Sequence, residues 1–382
     1  MTKTIQTDTL IIGAGSSGCV LANRLSAQPD HRVTLIEAGG KDSWHWIHIP
    51  VGYLYTMGNP KTDWCYSTTP QPGLNGRSLA YPRGRVLGGC SSINGMIYMR
   101  GQEADYDAWG SGWTWSDILP YYKQSEHYHR GADAYHSDQG ELLVQEQRLK
   151  WDILETFKRV CEDAGFNDRP DFNCGDNSGV GYFEVNQKRG IRWSSARAFL
   201  HPVMHRPNLT VMTHTLSEHL VFDGDRCIGM EGTCRGQPVS IRAQRVILAA
   251  GAIGTPALLE RSGIGDEAVL APLGIQVHTQ LLGVGNNLQD HLQVRLQYRL
   301  KRGDTLNQQA NSWFGRVKMA LQYAYNQSGP LSMAPSQLGA FFKSSDDVDR
   351  PDLEFHIQPM SADQLGTKLH PFPGMTASVC QL

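Results

Sequence analysis

Long apolar runs are missing from this sequence of 382 residues. No stretch reaches the ~18 apolar residues of a membrane-spanning helix. The opening Met1-Thr2-Lys3-Thr4-Ile5-Gln6 passes into a strand pattern with no apolar leader. Runs of Lys and Arg are missing too. The 35 basic and 37 acidic residues leave a formal charge of −2, so nothing in the charge balance points to nucleic acid. The eight cysteines (Cys19, Cys65, Cys90, Cys161, Cys174, Cys227, Cys234, Cys380) form no CxxC pair. That excludes a disulfide scaffold and favours a reducing compartment. The cytoplasm is therefore expected, with peripheral attachment at the inner membrane face as the variant.

Several catalytic signatures are also lacking. There is no HExxH. His127, His129 and His136, or His201 with His205, come without the Cys or carboxylate partners of a metal site, so surface histidines and no metal are expected. No GxSxG elbow and no Cys–His signature indicate acyl transfer. Function is to be sought in a small-molecule site.

What is present begins with a βαβ pattern. Thr9–Ile12 reads as a buried strand, Cys19–Ala27 as a helix and Arg32–Glu37 as a second strand. Between them lies Gly13-Ala14-Gly15-Ser16-Ser17-Gly18, a GxGxxG that follows a strand and opens a helix, with Glu37 closing the next strand. Gly13 permits the tight turn, Gly15 lets backbone approach a pyrophosphate, and Gly18 lets helix and strand pack. The helix N-terminus favours the phosphate charge and Glu37 can accept from a ribose diol. This motif points to a dinucleotide and does not separate FAD from NAD. A second glycine loop runs from Pro82 to Gly95 (PRGRVLGGCSSING). Its paired glycines let main chain lie against a flat ring; a solvent loop is the alternative.

Further along, 151–164 is expected to be an amphipathic helix, Leu209–Met212 and Val246–Ala250 strands, and Gly254–Arg261 a helix. Leu292–Leu300 and 353–358 alternate as half-buried strands of a separate antiparallel sheet, with Leu353, Phe355 and Ile357 on the apolar side and His356 on the polar one. Trp44–Pro50 is expected as a lid, and Trp109–Trp115 as packing or cofactor cover. The fold class is α/β: a discontinuous Rossmann-like FAD-binding domain with a parallel sheet (1–160 and 206–292), plus a substrate domain with an antiparallel sheet (161–205 and 293–382).

These motifs, with Asp63-Trp64, Asn75-Gly76-Arg77, Tyr98-Met99-Arg100-Gly101, Trp193-Ser194-Ser195-Ala196, Gly251-Ala252-Ile253-Gly254-Thr255-Pro256 and Asn287-Leu288-Gln289-Asp290-His291, make the chain resemble the glucose–methanol–choline oxidoreductases. The resemblance implies FAD, with Gly13, Gly15 and Gly18 at the pyrophosphate and Glu37 at the adenosine ribose. It implies Arg85, Gly89, Ser92, Asn94, Gly95 and Met96 along pyrophosphate and flavin, and Ser217 at the adenine. Ser16, Ser17, Ala38, Trp64, Leu87, Gly88, Ala250 and Gly251 complete the implied contacts. Some members tether flavin through a His where this chain has Ile93, so FAD is expected to be non-covalent. Cys90 stands where Ser or Thr is usual and is expected to be small and buried.

The resemblance also implies oxidation of an alcohol by hydride transfer, with a quinone, a redox protein or oxygen as electron acceptor. The implied catalytic His, with its His or Asn partner, is expected beyond Leu382, so no catalytic residue is assigned within the chain. A chain that binds flavin without turnover is the alternative. Gln337 stands where choline-acting relatives place a Glu. A neutral amide does not attract a quaternary ammonium, so primary aliphatic or aromatic alcohols are expected ahead of choline.

Overall fold

A strand, β1 (Lys3–Ile12), leads into the first glycine turn, a helix, α1 (Ser16–Leu25), and a second strand, β2 (Val33–Glu37). All five residues of β2 are buried, as a parallel strand covered on both faces requires. The sheet is completed by β3 (Leu209–Thr213), β4 (Thr215–Asp223), β5 (Arg226–Cys234) and β6 (Gln237–Leu248). Its order is β3-β2-β1-β6-β5-β4. The first four strands are parallel neighbours, while β5 and β4 join antiparallel. A helix, α2 (Gly251–Arg261), follows β6.

The structure, a computed structural model, describes residues 3–363 and 368–382. The chain divides into two compact units. The first is Met1–Trp44, Thr56–Asn94 and Ser194–Gln289, and it holds the mixed sheet; the second is His45–Tyr55, Gly95–Trp193 and Asp290–Leu382. These limits differ from the sequence division. Residues 95–160 fall in the second unit because Ile97–Tyr98 pairs antiparallel with Glu184–Val185 and the Gln102 amide reaches the Pro351 carbonyl. Residues 194–205 fall in the first, where the Asn23 amide donates to the Phe199 carbonyl.

The second unit is built on an antiparallel sheet of β7 (Gln293–Arg299), β8 (Leu338–Phe342), β9 (Leu353–Gln358), β10 (Gly374–Gln381) and the strand Gly179–Tyr182. The order is β7-β10-β9-β8 followed by Gly179–Tyr182. One face packs a core of Leu338, Ala340, Ile357 and Ala377 with Leu154 and Met319, so the amphipathic helix Asp152–Asp163 covers that side as its periodicity predicts. Among the described residues no helix is long and apolar enough to cross a membrane.

Several sequence expectations are corrected. Val246 and Leu248 are only half-buried, and of the predicted face Leu292, just before the edge strand β7, and Val294, Leu296 and Tyr298 on it stand exposed, while Leu300 is half-buried. Alternation shows which residues share a face, not whether anything covers it. Trp109 and Trp113 are exposed and only Trp115 is buried. The expected lid is anchored: Ile47 is fully buried and its carbonyl accepts from the Arg192 guanidinium. His136 is not a surface histidine. It is enclosed between Glu126 (2.9 Å) and Asp171 (2.9 Å), and Arg100 donates to the same Glu126 oxygen, Oε2, at 3.0 Å.

Candidate functional site

In the first unit Ile12, Ile36 and Leu248 stand in one register row at the carboxyl ends of β1, β2 and β6. The chain runs from β1 to β2 on one side and returns to β6 on the other, so a crevice opens at this switch point. All three residues line a cavity of about 960 Å³ there, at the upper end of the roughly 300–1,000 Å³ usual for small-molecule sites. Two helices begin at its wall. Ser16 and Ser17 open α1, and Gly251, Ala252 and Ile253 open α2. Neither N-cap makes a side-chain hydrogen bond and neither first turn carries an acid. Both present free N–H groups and positive dipole ends, the natural partners of a diphosphate.

The three glycines of the turn do different jobs. Gly13 has φ +105°, and a Cβ there would lie 2.5 Å from the Ala249 carbonyl oxygen. A Cβ on Gly18 would strike the Gly13 carbonyl. Both are required by the fold itself. Gly15 is not: a Cβ there meets nothing nearer than 4.0 Å, so the space it leaves belongs to the cavity. Gly89 of the second loop (φ +53°) comes up against this point, its own Cβ position 2.7 Å from the Gly15 Cα, and the Gly88 N–H donates to the Ala14 carbonyl at 2.8 Å. The two glycine loops therefore meet over a strip of bare main chain.

Glu37 lies in the cavity wall beside the first glycine turn, accepting from the Ala14 N–H (3.0 Å) and the Gly39 N–H (2.8 Å). Burial raises its pKa to about 7, against the two amides and Arg85. Each carboxylate oxygen keeps a further lone pair for a diol. Ser217 Oγ, also in the wall, and Arg85 Nε are buried without a hydrogen-bond partner among the described residues. The Arg85 guanidinium lies over the Trp64 ring at 4.8 Å, and Trp64 stacks on Tyr66. An elongated, aromatic, anionic ligand fits this lining.

The antiparallel sheet of the second unit carries an unexpected polar face. Glu354, His356 and Gln358 on β9 stand opposite Cys380, Ser378 and Thr376 on β10, which in turn oppose Gln293, Arg295 and Gln297 on β7. Sequence alternation placed Glu354 and Gln358 on the polar side of a half-buried strand, yet both are buried. The His356 imidazole is 3.0 Å from the Glu354 carboxylate. Burial lowers its pKa, but Cys380 and Glu354 outweigh that and raise it to about 9. Burial lowers the pKa of Arg295. Arg295 Nε and Nη2, Ser378 Oγ and both amide atoms of the fully buried Gln337 lack partners among the described residues. The exposed His291 brings a ring nitrogen to within 4.8 Å of the Glu354 and Cys380 ligand atoms, a grouping no sequence spacing suggested.

Comparison with known proteins decides between the cofactor classes. The sequence family described as GMC oxidoreductase matches residues 7–293. The chain is 39% identical to an alcohol dehydrogenase [acceptor] of Pseudomonas putida, over 98% of the chain and 69% of that protein. The chain belongs to the GMC oxidoreductase family. It is also 38% identical to the mitochondrial choline dehydrogenase of Mus musculus, over 94% of the chain and 62% of that enzyme, so it spans about two thirds of such relatives. Pyridoxine 4-oxidase from Mesorbium loti superposes with a TM-score of 0.84 at 28% identity, covering 98% of the chain and 71% of the oxidase. GMC oxidoreductases of this fold are FAD-binding flavoproteins.

Of the contacts that the GMC resemblance implies, Gly13, Gly15, Ser16, Ser17, Glu37, Ala38, Trp64, Gly89, Ser217, Ala250 and Gly251 line the cavity. Gly18 and Leu87 are buried and do not line it, Gly88 supports the loop contact, and the Ser92 hydroxyl donates to the Leu87 carbonyl. The Asn94 N–H donates to the Cys90 carbonyl, and Arg85 faces a neighbouring cavity with Lys61 and His214. Gly95 and Met96 belong to the second unit. Cys90 is exposed in the cavity wall, not buried as expected, because the turn at Gly88 and Gly89 swings it outward. Sequence reading missed Thr215, Leu216 and Arg261 in the wall. They carry no local motif and arrive there through strand order.

Proposed function

We propose that this chain binds FAD non-covalently in the first unit and acts on primary alcohols, aliphatic or aromatic, giving the aldehyde. Bound FAD supplies the electrophile that takes hydride from the alcohol carbon. The observation that carries the reading is the meeting of two glycine loops and two uncapped helix N-termini at the carboxyl ends of parallel strands. In this reading α1 and α2 hold the diphosphate, Glu37 holds the ribose and Ser217 lies at the adenine. The electron acceptor in this reading is a quinone, a redox protein or oxygen.

The polar sheet face is read as the substrate side, because it holds buried polar atoms in need of partners. Gln337 is read as a substrate contact. Two cations, Arg295 and protonated His356, stand there with the carboxylate of Glu354. Such a face offers a trimethylammonium no net attraction, and Gln337 adds none. Charged at neutral pH, His356 donates a hydrogen bond and is no general base; no residue of the chain is assigned that role.

The test is spectral. Purified protein is mixed with FAD, and the bound fraction is reduced anaerobically with an aliphatic alcohol, a benzylic alcohol and choline in turn. A yellow complex bleached by the uncharged alcohols ahead of choline is expected. A colourless protein that refuses FAD defeats the proposal. Comparison with the chain extended to the length of its relatives separates binding from turnover.

A further inference from the structure

One helix of the second unit presents its apolar side outward. It is α3 (Trp313–Asn326), capped by the Ser312 hydroxyl, which accepts from the Gly315 N–H. At about 100° per residue, Met319 and Tyr323 mark the side that packs inward. Met319 enters the core beneath the sheet, and the Tyr323 hydroxyl donates to the Gly190 carbonyl at 2.9 Å. Trp313, Phe314, Val317, Leu321 and Tyr325 all fall within about 120° on the opposite side, and all are exposed, Phe314 at 78% and Tyr325 at 90%. Single exposed apolar residues need no explanation, but five on one helix face form a patch that marks an interaction surface.

The charges around the patch identify the partner. Arg316 borders the apolar arc on one side and Lys318 on the other. No Asp or Glu occurs between Asp304 and Asp346. We propose that this face is a membrane-docking surface, with α3 lying in the interface of a bilayer that carries anionic headgroups. Trp, Tyr and Phe with flanking cations are the side chains suited to that depth, where rings sit at the headgroup boundary and basic groups reach the phosphates. A two-fold contact between copies of this face fits less well, since it would bring Arg316 and Lys318 of one copy against the same cations of the other. Net charge and cation runs were silent on this point because only two cations take part.

The inference stands apart from the flavin reading, and its test needs no turnover. The whole chain is sedimented with vesicles of phosphatidylcholine alone and with vesicles containing phosphatidylglycerol. Binding to the anionic vesicles is expected, with a weaker hold on the neutral ones. Trp313→Ser with Phe314→Ser should lower partitioning by about tenfold or more. Arg316→Gln with Lys318→Gln should abolish the preference for anionic lipid. Thermal melting confirms that each variant is folded, and should the double apolar variant unfold, Tyr325→Ser serves in its place. A wild-type chain left in the supernatant by both vesicles overturns the proposal. So do folded variants that sediment like wild type, or a dimer that the apolar variant dissociates.

Discussion

At the residue scale the first glycine loop separates what folding requires from what binding requires. Gly18→Ala forces a Cβ into the Gly13 carbonyl and should cost about 1–3 kcal/mol of stability. Gly15→Ala meets no protein atom nearer than 4.0 Å. Its melting temperature without ligand should stay near wild type while FAD affinity falls at least about tenfold. Urea unfolding alongside a flavin titration checks the pair, and equal stability losses would refute the division of roles. Glu37 adds a pH signature. With a pKa near 7 in the ligand-free site it is largely protonated at pH 6, and a ribose diol needs the ionised acceptor. FAD affinity should therefore rise with pH up to about 7, by at most about tenfold per unit, and level off above. Titrations at pH 6 and 8 should show this, and Glu37→Gln should remove the slope.

At the element scale the sheet of the second unit has one apolar face and one polar face, on which several buried polar atoms lack partners among the described residues. Gln337 is fully buried and neither side-chain amide atom has a partner among the described residues, a state that costs roughly 1–3 kcal/mol. Gln337→Met should raise the midpoint of urea unfolding and weaken alcohol binding at once, read as a higher KM. Stabilisation without a change in KM would mean that Gln337 does not touch substrate. Periodicity reported the two faces of β9 faithfully. It missed that the polar face is the better buried one, because 353–358 looks the same whether solvent or other chain lies over Glu354 and Gln358. The helix α3 shows the reverse, since its apolar arc faces outward while Met319 alone of its residues is buried.

At the scale of the whole molecule, stability should carry the mark of the buried Arg100–Glu126–His136–Asp171 chain of charges. Burial disfavours the His136 cation, but Asp171 and Glu126 more than compensate and raise its pKa from 6.5 to about 9. Below pH 6.5 both folded and unfolded chains hold this proton and its contribution is complete. Between pH 6.5 and 9 the unfolded chain releases it first, so stability falls as pH rises, by at most about 1.4 kcal/mol per unit. His356 acts in the same window and sense. Asp171 works oppositely: held below its usual value, it contributes above pH 3.8 and the gain is lost as pH drops below that. Denaturant midpoints at pH 6.5 and 8.5 should differ clearly in the wild type and less in His136→Gln. Identical slopes in the two proteins would remove His136 from the account.

Local chain stiffness explains what the sequence by itself determined. A strand, a glycine turn that only Gly13 and Gly18 allow, a helix start and a closing carboxylate at Glu37 are all set within 37 residues, so the nucleotide crevice and the α/β class were readable before any contact was known. Tertiary structure alone decided which distant segments complete the wall, as with Thr215 and Arg261. It also decided that 95–160 joins the second unit, that His136 is enclosed, and that β7 and α3 turn apolar residues to the outside. Those outcomes depend on what packs over a surface, and a residue pattern records the surface without recording its cover.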